Sequence, residues 1–156
     1  MEALTSRLPP PPPASSQASR LVMLANRDCD TAPEVALRSV LHRRGLRFRK
    51  HLAPLKGLRC RADLVFPRAK VAVFVDGCFW HQCPEHAAFP KANADWLRMK
   101  LAQNFNRDRR NDAALAATGW MVIRVWEHED VDGAADRIVE ALTMRPPRDP
   151  GHWVST

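Results

Sequence analysis

A chain of 156 residues with 46% hydrophobic residues suits one ordinary globular domain with a real core. The formal net charge of +7 points to a polyanionic partner, and with the aromatic content to nucleic acid. No apolar run approaches the roughly 18 residues of a spanning helix, and MEALTSRLPPPPPASS lacks the charged-then-apolar order of a secretory signal.

A cytoplasmic, nucleoid-associated protein without a membrane partner is therefore expected. In that reducing setting its four Cys are thiols or metal ligands rather than disulfides. Residues 1–20, with the proline run Pro9–Pro13, read as a disordered, partly polyproline-like tail. Residues 21–144 form the expected domain, and 145–156 a loose end.

Thr31-Ala-Pro-Glu34 is a capping box with proline in the first turn. The helix behind it carries Leu37, Val40 and Leu41 on one stripe and stops at Gly45. Leu46 to His51 alternates apolar and basic residues, as an edge strand does. Ala62–Phe66 and Val71–Val75 flank the turn at residues 67–70 and form a hairpin, apolar on both faces and hence central. A long helix over Ala94–Ala117 points Leu97, Leu101, Phe105 and Leu115 inward, and Gly119 ends it. Trp120–Trp126 is a further strand, reached by a right-handed parallel crossover. A last helix covers Gly133–Met144. The sum is an α/β domain with a mixed sheet flanked by helices.

Asp63 and Asp76 fall at the same end of the hairpin, on one face. One register sets 63 opposite 76; the other sets 63 opposite 74, with Asp76 diagonal. Like charges that close repel, and apolar neighbours desolvate them. A divalent cation such as Mg²⁺ relieves both costs, since carboxylate, carbonyl and water oxygens suit it. The alternative is that both acids merely bound their strands.

Cys78-x4-Cys83-x2-His86 offers three zinc ligands in nine residues. His128, just beyond the strand parallel to 71–75, is the candidate fourth; Cys60 and Cys29 are its rivals. A closed four-ligand site would be structural and would pin the 77–86 loop. His81 is left over and is placed to act as general base. Phe79 and Trp80 in that loop, with Trp96, have the character of wedges that enter a base stack. Arg107 and Arg110 supply cations for phosphates.

The segments RADLVF, VAVFVDGCFWHQCPEH and DWLRMKLAQNFNRDRRNDAALAATGWMVIRVWE resemble the very short patch repair (Vsr) endonucleases, across Asn26 to Leu142. The resemblance implies a restriction-endonuclease-like fold of the PD-(D/E)xK type with a structural zinc site. It implies a monomeric enzyme that nicks one DNA strand beside the T of a T·G mismatch left by deaminated 5-methylcytosine. Mismatch-repair proteins are its implied protein partners. It assigns Mg²⁺ to Asp63 and the Val75 backbone carbonyl, while Asp76, the hairpin's second acid, resembles the second acid of the wider PD-(D/E)xK nucleases. It makes His81 the water-activating base, puts Glu34 beside the site, and makes Phe79, Trp80 and Trp96 the intercalating rings.

The sequence also departs from that family. Asp76 stands where the family pattern has His, and Cys78 stands where the wider nuclease motif has Lys. The zinc set of two Cys and two His replaces three Cys and one His. A related restriction-type or unspecific nickase, and a zinc-dependent DNA-binding module without catalysis, are the rival readings.

Overall fold

The computed structural model describes residues 8–25, 29–86 and 91–145. Its sheet has four strands in the order β1-β2-β3-β4: β1 (Arg49–Leu52), β2 (Ala62–Phe66), β3 (Val71–Asp76) and β4 (Met121–Trp126). The helices are α1 (Gln17–Ala25), α2 (Ala32–Arg43), α3 (Ala94–Ala117) and α4 (Val131–Met144). β1 and β3 each pair antiparallel with β2, while β4 runs parallel to β3. The mixed sheet and its crossover are as the sequence led us to expect.

The sheet is buried on both sides because β2 and β3 are apolar at consecutive positions. Val71, Ala72 and Val73 are all fully buried. On one face, α2 and α4 bring Leu37, Val40, Leu41, Ala135 and Ile138 against Leu64, Val71 and Val73. On the other, Leu115 of α3 packs with Val65, Ala72 and Phe74, and the β1–β2 connection adds Leu55 and Leu58. This three-layer arrangement is one of the few ways to cover such a sheet.

Helix ends follow local chemistry. Gly45 adopts φ +82 after α2, and the N–H of Leu46 reaches back to the Leu41 carbonyl, a left-handed stop that glycine makes cheap. The Asp130 side chain accepts from the Gly133 N–H, which starts α4 at Val131, two residues ahead of the expected Gly133.

Two expectations need correction. The tail is not wholly without regular structure: Ser16 accepts from the Ser19 N–H and starts α1 at Gln17, within the stretch read as disordered. Phe105 does not point inward. It is 46% exposed, under the Arg109 guanidinium, because Asn104 takes the buried stripe position instead. The C-terminal tail beyond Arg145 lies outside the described residues. Among the described residues no helix is long and apolar enough to cross a membrane.

Candidate functional site

The hairpin register pairs Leu64 with Val73, so Asp63 faces Phe74 and Asp76 lies diagonal to it. Asp63 accepts the Val75 N–H at 2.7 Å through Oδ2. Burial first, and the nearby Glu34 carboxylate after it, push the Asp63 carboxyl up to about 6, against the Val75 hydrogen bond. Glu34, near the start of α2, is only 4% exposed. It accepts from the Asp30 N–H and the Thr31 hydroxyl, both at 2.9 Å. The expected capping box is only half formed: the Thr31 side chain caps no backbone N–H, and Glu34 reaches back to the N–H of the residue before the cap, which holds its carboxylate toward Asp63. Ligand atoms of Glu34, Asp63 and His51 lie within 4.8 Å of one another.

Asp76 is engaged differently from the acid pair read in the sequence. Both its oxygens accept from Arg124 Nη1 at 2.9 Å. Arg124 also donates to Asp112 from Nε and Nη2, at 2.9 and 2.8 Å, and lies 4.8 Å above the Phe74 ring. Its guanidinium neutralises buried Asp76. Removing one partner of such a buried pair costs about 3–5 kcal/mol.

His81 faces this network from the loop. Its Nδ1 lies 2.7 Å from Asp108 Oδ2 and 3.7 Å from Asp76 Oδ1. Burial lowers the His81 proton affinity, but Asp108 and Asp76 outweigh it and the net shift is upward. Asp108 moves the other way: burial raises it, and the His81 contact brings it below its ordinary value. A neutral His81 donating from Nδ1 to Asp108 keeps Nε2 as the free acceptor.

The loop itself is tied at both ends. The Cys78 N–H donates to Glu127 at 2.8 Å, the Cys83 N–H to the Cys78 carbonyl at 2.9 Å, and the His81 N–H to the Gly77 carbonyl at 3.2 Å. Cys78, Cys83, His86 and His128 converge with their ligand atoms within 4.8 Å. The His128 Nδ1 is 3.0 Å from the Cys78 sulfur and 3.7 Å from the Cys83 sulfur, and the His86 Nδ1 is 3.8 Å from the Cys83 sulfur. Zinc bonds of about 2.0–2.3 Å place tetrahedral ligands about 3.3–3.8 Å apart, so the donor set fits zinc. Of the rivals for fourth ligand, Cys29 groups with Asp30 and His51, and Cys60 joins no such group among the described residues. The two thiols differ. Burial and Cys83 push Cys78 up to about 11, whereas backbone N–H groups and His86 bring Cys83 below its usual value despite its own burial.

Glu34, Asp63, Asp76, His81 and Arg107 line one open groove. Phe79, Trp80 and Trp96 stand in its wall, the first two in an edge-to-face contact at 5.0 Å. Arg110 is exposed and does not line the groove. The Pro-rich segment lines the same groove through Pro11, Pro12 and Pro13, and Trp96 Nε1 donates to the Pro9 carbonyl at 3.0 Å.

Sequence reasoning missed Asp108, Asp112, Arg124 and His51. For three of these a signal existed. Leu97, Leu101 and Leu115 mark the buried stripe of α3, and Asn104, Asp108 and Asp112 occupy the same stripe at helical spacing. Polar residues on an otherwise inward face are candidates for a site. Arg124 is likewise the one charge in the run MVIRVW.

Comparison with known proteins bears on this groove. Residues 15–86 match the family model for the DNA mismatch endonuclease Vsr. The chain is 46% identical to the type II nicking enzyme V.NaeI of Lentzea aerocolonigenes, over 77% of this chain and 74% of that one. It is 39% identical to the DNA mismatch endonuclease Vsr of Escherichia coli (strain K12), over 74% and 72%. The catalytic domain of the homing endonuclease I-Bth0305I shares the fold, with a TM-score of 0.51 and 19% identity over 74% of this chain and 98% of that domain. The chain belongs to the Vsr family of DNA mismatch endonucleases.

Proposed function

We propose that this protein nicks one strand of duplex DNA beside the T of a T·G mismatch, by divalent-cation-dependent hydrolysis. The observation that carries this reading is the His81–Asp108 pair in the same groove as the Asp63 carboxylate, walled by three large rings. A pure binding module has no use for a half-buried base–carboxylate pair of that geometry.

Asp63, with Glu34 close by and the Val75 carbonyl at the same strand end, would hold Mg²⁺. Its donor set is oxygen-rich, and Asp63 has a backbone N–H rather than a cationic side chain as its hydrogen-bond partner. When bound, the cation supplies Lewis-acid stabilisation of charge on the phosphate oxygens. The chain's own groups do the rest. His81 takes a proton from water at Nε2 while Asp108 holds Nδ1–H. Arg124 fixes Asp76, and Asp76 lies close enough to favour the imidazolium once it forms. Zinc on Cys78, Cys83, His86 and His128 would keep Phe79, Trp80 and His81 in one geometry. Those rings, with Trp96, would enter the stack where opening it costs least, at a mismatch. Arg107 would meet phosphate.

The predicted activity is a strand-specific nick in a T·G duplex in Mg²⁺. A duplex cut on neither strand, or cut equally in EDTA, contradicts it.

The pH profile tests the base. His81 must be neutral to act, and its proton affinity is raised, so kcat/KM should climb with pH through a limb above 6.5, the ordinary His value. Asp108→Asn removes the partner that raises His81 and should move that limb to lower pH. His81→Ala should lower the rate by about 10²–10⁴-fold and abolish the limb. A limb unchanged in His81→Ala would assign the titration to another group, with Asp63 the first candidate.

A further inference from the structure

His51 belongs to no role described so far, yet its position is specific. The β1–β2 register pairs Lys50 with Leu64 and Leu52 with Ala62, which sets His51 across the ladder from Asp63. Its backbone is left-handed, at φ +49. The ring is partly buried, and its Nε2 lies 4.0 Å from Glu34 Oε2. The same nitrogen is 3.3 Å from both Asp30 Oδ1 and Arg38 Nη1.

Charge accounting around it is uneven. Arg38 is spent on Asp30 at 2.6 Å, and Lys50 also faces Asp30, at 3.7 Å. Neither cation is paired with Asp63, and Glu34 is satisfied by neutral donors. Two carboxylates and an imidazole, with ligand atoms within 4.8 Å, thus face one another with no cationic side chain bonded to either acid. Around an octahedral cation with bonds of about 2.1 Å, trans ligands stand about 4.2 Å apart and cis ligands about 3.0 Å. His51 Nε2 and Glu34 Oε2, at 4.0 Å, are near the trans distance, and the cluster draws in toward the cis distance at its other contacts to close on an ion.

We propose that His51 is a nitrogen ligand of the cation at Asp63, and that this makes the centre favour Mn²⁺ over Mg²⁺. Mg²⁺ takes oxygen donors almost alone and gains little from an imidazole. Mn²⁺ accepts oxygen and nitrogen together, so one His beside two carboxylates separates the two ions. The proposal rests on the Asp63-centred reading above. It adds a residue that reading does not use.

The test is binding rather than activity. The probe is Mn²⁺ alone, followed by the EPR signal of the free ion, with Mg²⁺ as competitor. The full chain is used with one equivalent of Zn²⁺ filling the Cys78/Cys83/His86/His128 cluster. His51→Gly is the variant of choice because glycine accepts a left-handed backbone. His51→Asn, which also tolerates it, is the second. Wild type should bind one Mn²⁺ at this centre. Each variant should bind it about 10-fold or more weakly, while Mg²⁺ competition stays within about threefold, as oxygen donors dominate its binding. Asp63→Asn should lose both ions. Unchanged Mn²⁺ affinity in both His51 variants, with loss in Asp63→Asn, would overturn the role of His51 and leave the Asp63 centre standing. Equal weakening of both ions would overturn the claimed preference. Retention of Mn²⁺ by Asp63→Asn would overturn the centre itself.

Discussion

Asp63→Asn should reduce nicking by about 10³-fold or more, while duplex affinity stays near that of wild type. The size follows from what a cation at this carboxylate contributes: several kcal/mol of charge stabilisation in the transition state, at about 1.4 kcal/mol per tenfold in rate. Affinity survives because duplex binding rests mainly on phosphate contacts and stacking. In the proposed reading those fall to groups such as Arg107 and the rings, which line the same groove and are untouched by the substitution. The amide keeps an oxygen for the Val75 N–H, so the hairpin end should hold. Single-turnover cleavage together with a gel-shift titration measures the two effects separately. Equal loss of binding and cleavage would show that Asp63 is a folding residue first.

Cys83→Ser should empty the zinc cluster and release the loop. Cys83 is 1% exposed and lies within reach of both His86 and His128. Wild-type protein should carry about one zinc per chain and the variant close to none. Removal of a structural zinc ligand should cost at least about 3 kcal/mol, or roughly 10 °C in melting temperature. Cleavage should fall too, because Phe79, Trp80 and His81 lie between the two sulfur ligands. Cys60→Ser and Cys29→Ser are the controls: both should keep their zinc, since neither thiol is in the cluster of four. Zinc retained by Cys83→Ser but lost from Cys60→Ser would mean the ligand set is wrong.

The frame of the fold was legible because its cause is local. Two short runs apolar on both faces, joined by a four-residue turn, admit little but a central hairpin. A 24-residue helix followed by an apolar strand forces the parallel crossover. The zinc candidates were legible for a similar reason: three ligands lie in nine residues, and the parallel register carries Asp76 to Trp126 and so His128 to the loop.

What was not legible is pairing across the chain. Asp76 looked like half of an acid pair because nothing near it in sequence neutralises it. Its partner, Arg124, arrives 48 residues later from the neighbouring strand. Asp108 was hidden inside a basic run, where Arg107 and Arg110 drew the eye. Only its place on the buried stripe of α3 sets it apart. His51 ended an edge strand of alternating apolar and basic residues, and only the pairing with β2 sets it across from Asp63. In each case the hydrophobic pattern fixed the backbone, and the backbone then chose the polar partners.

The departure at Asp76 takes on a physical meaning here. An acid in that position, buried at 4% exposure, is tolerable because β4 carries Arg124 diagonal to it, bonded to both its oxygens. Asp76 and Arg124 form one unit with Asp112, and they border His81 rather than replace it.

The most direct measurement is single-turnover nicking of two duplexes that differ in one base, T·G against T·A, in Mg²⁺ at saturating enzyme. The mismatch lowers the cost of opening the stack for Phe79, Trp80 and Trp96, an advantage of a few kcal/mol at most. The expected result is a nick on the T-containing strand of the T·G duplex, faster by about 10–100-fold than on T·A. Equal rates on the two duplexes would contradict mismatch recognition and leave a metal-dependent nickase with another target.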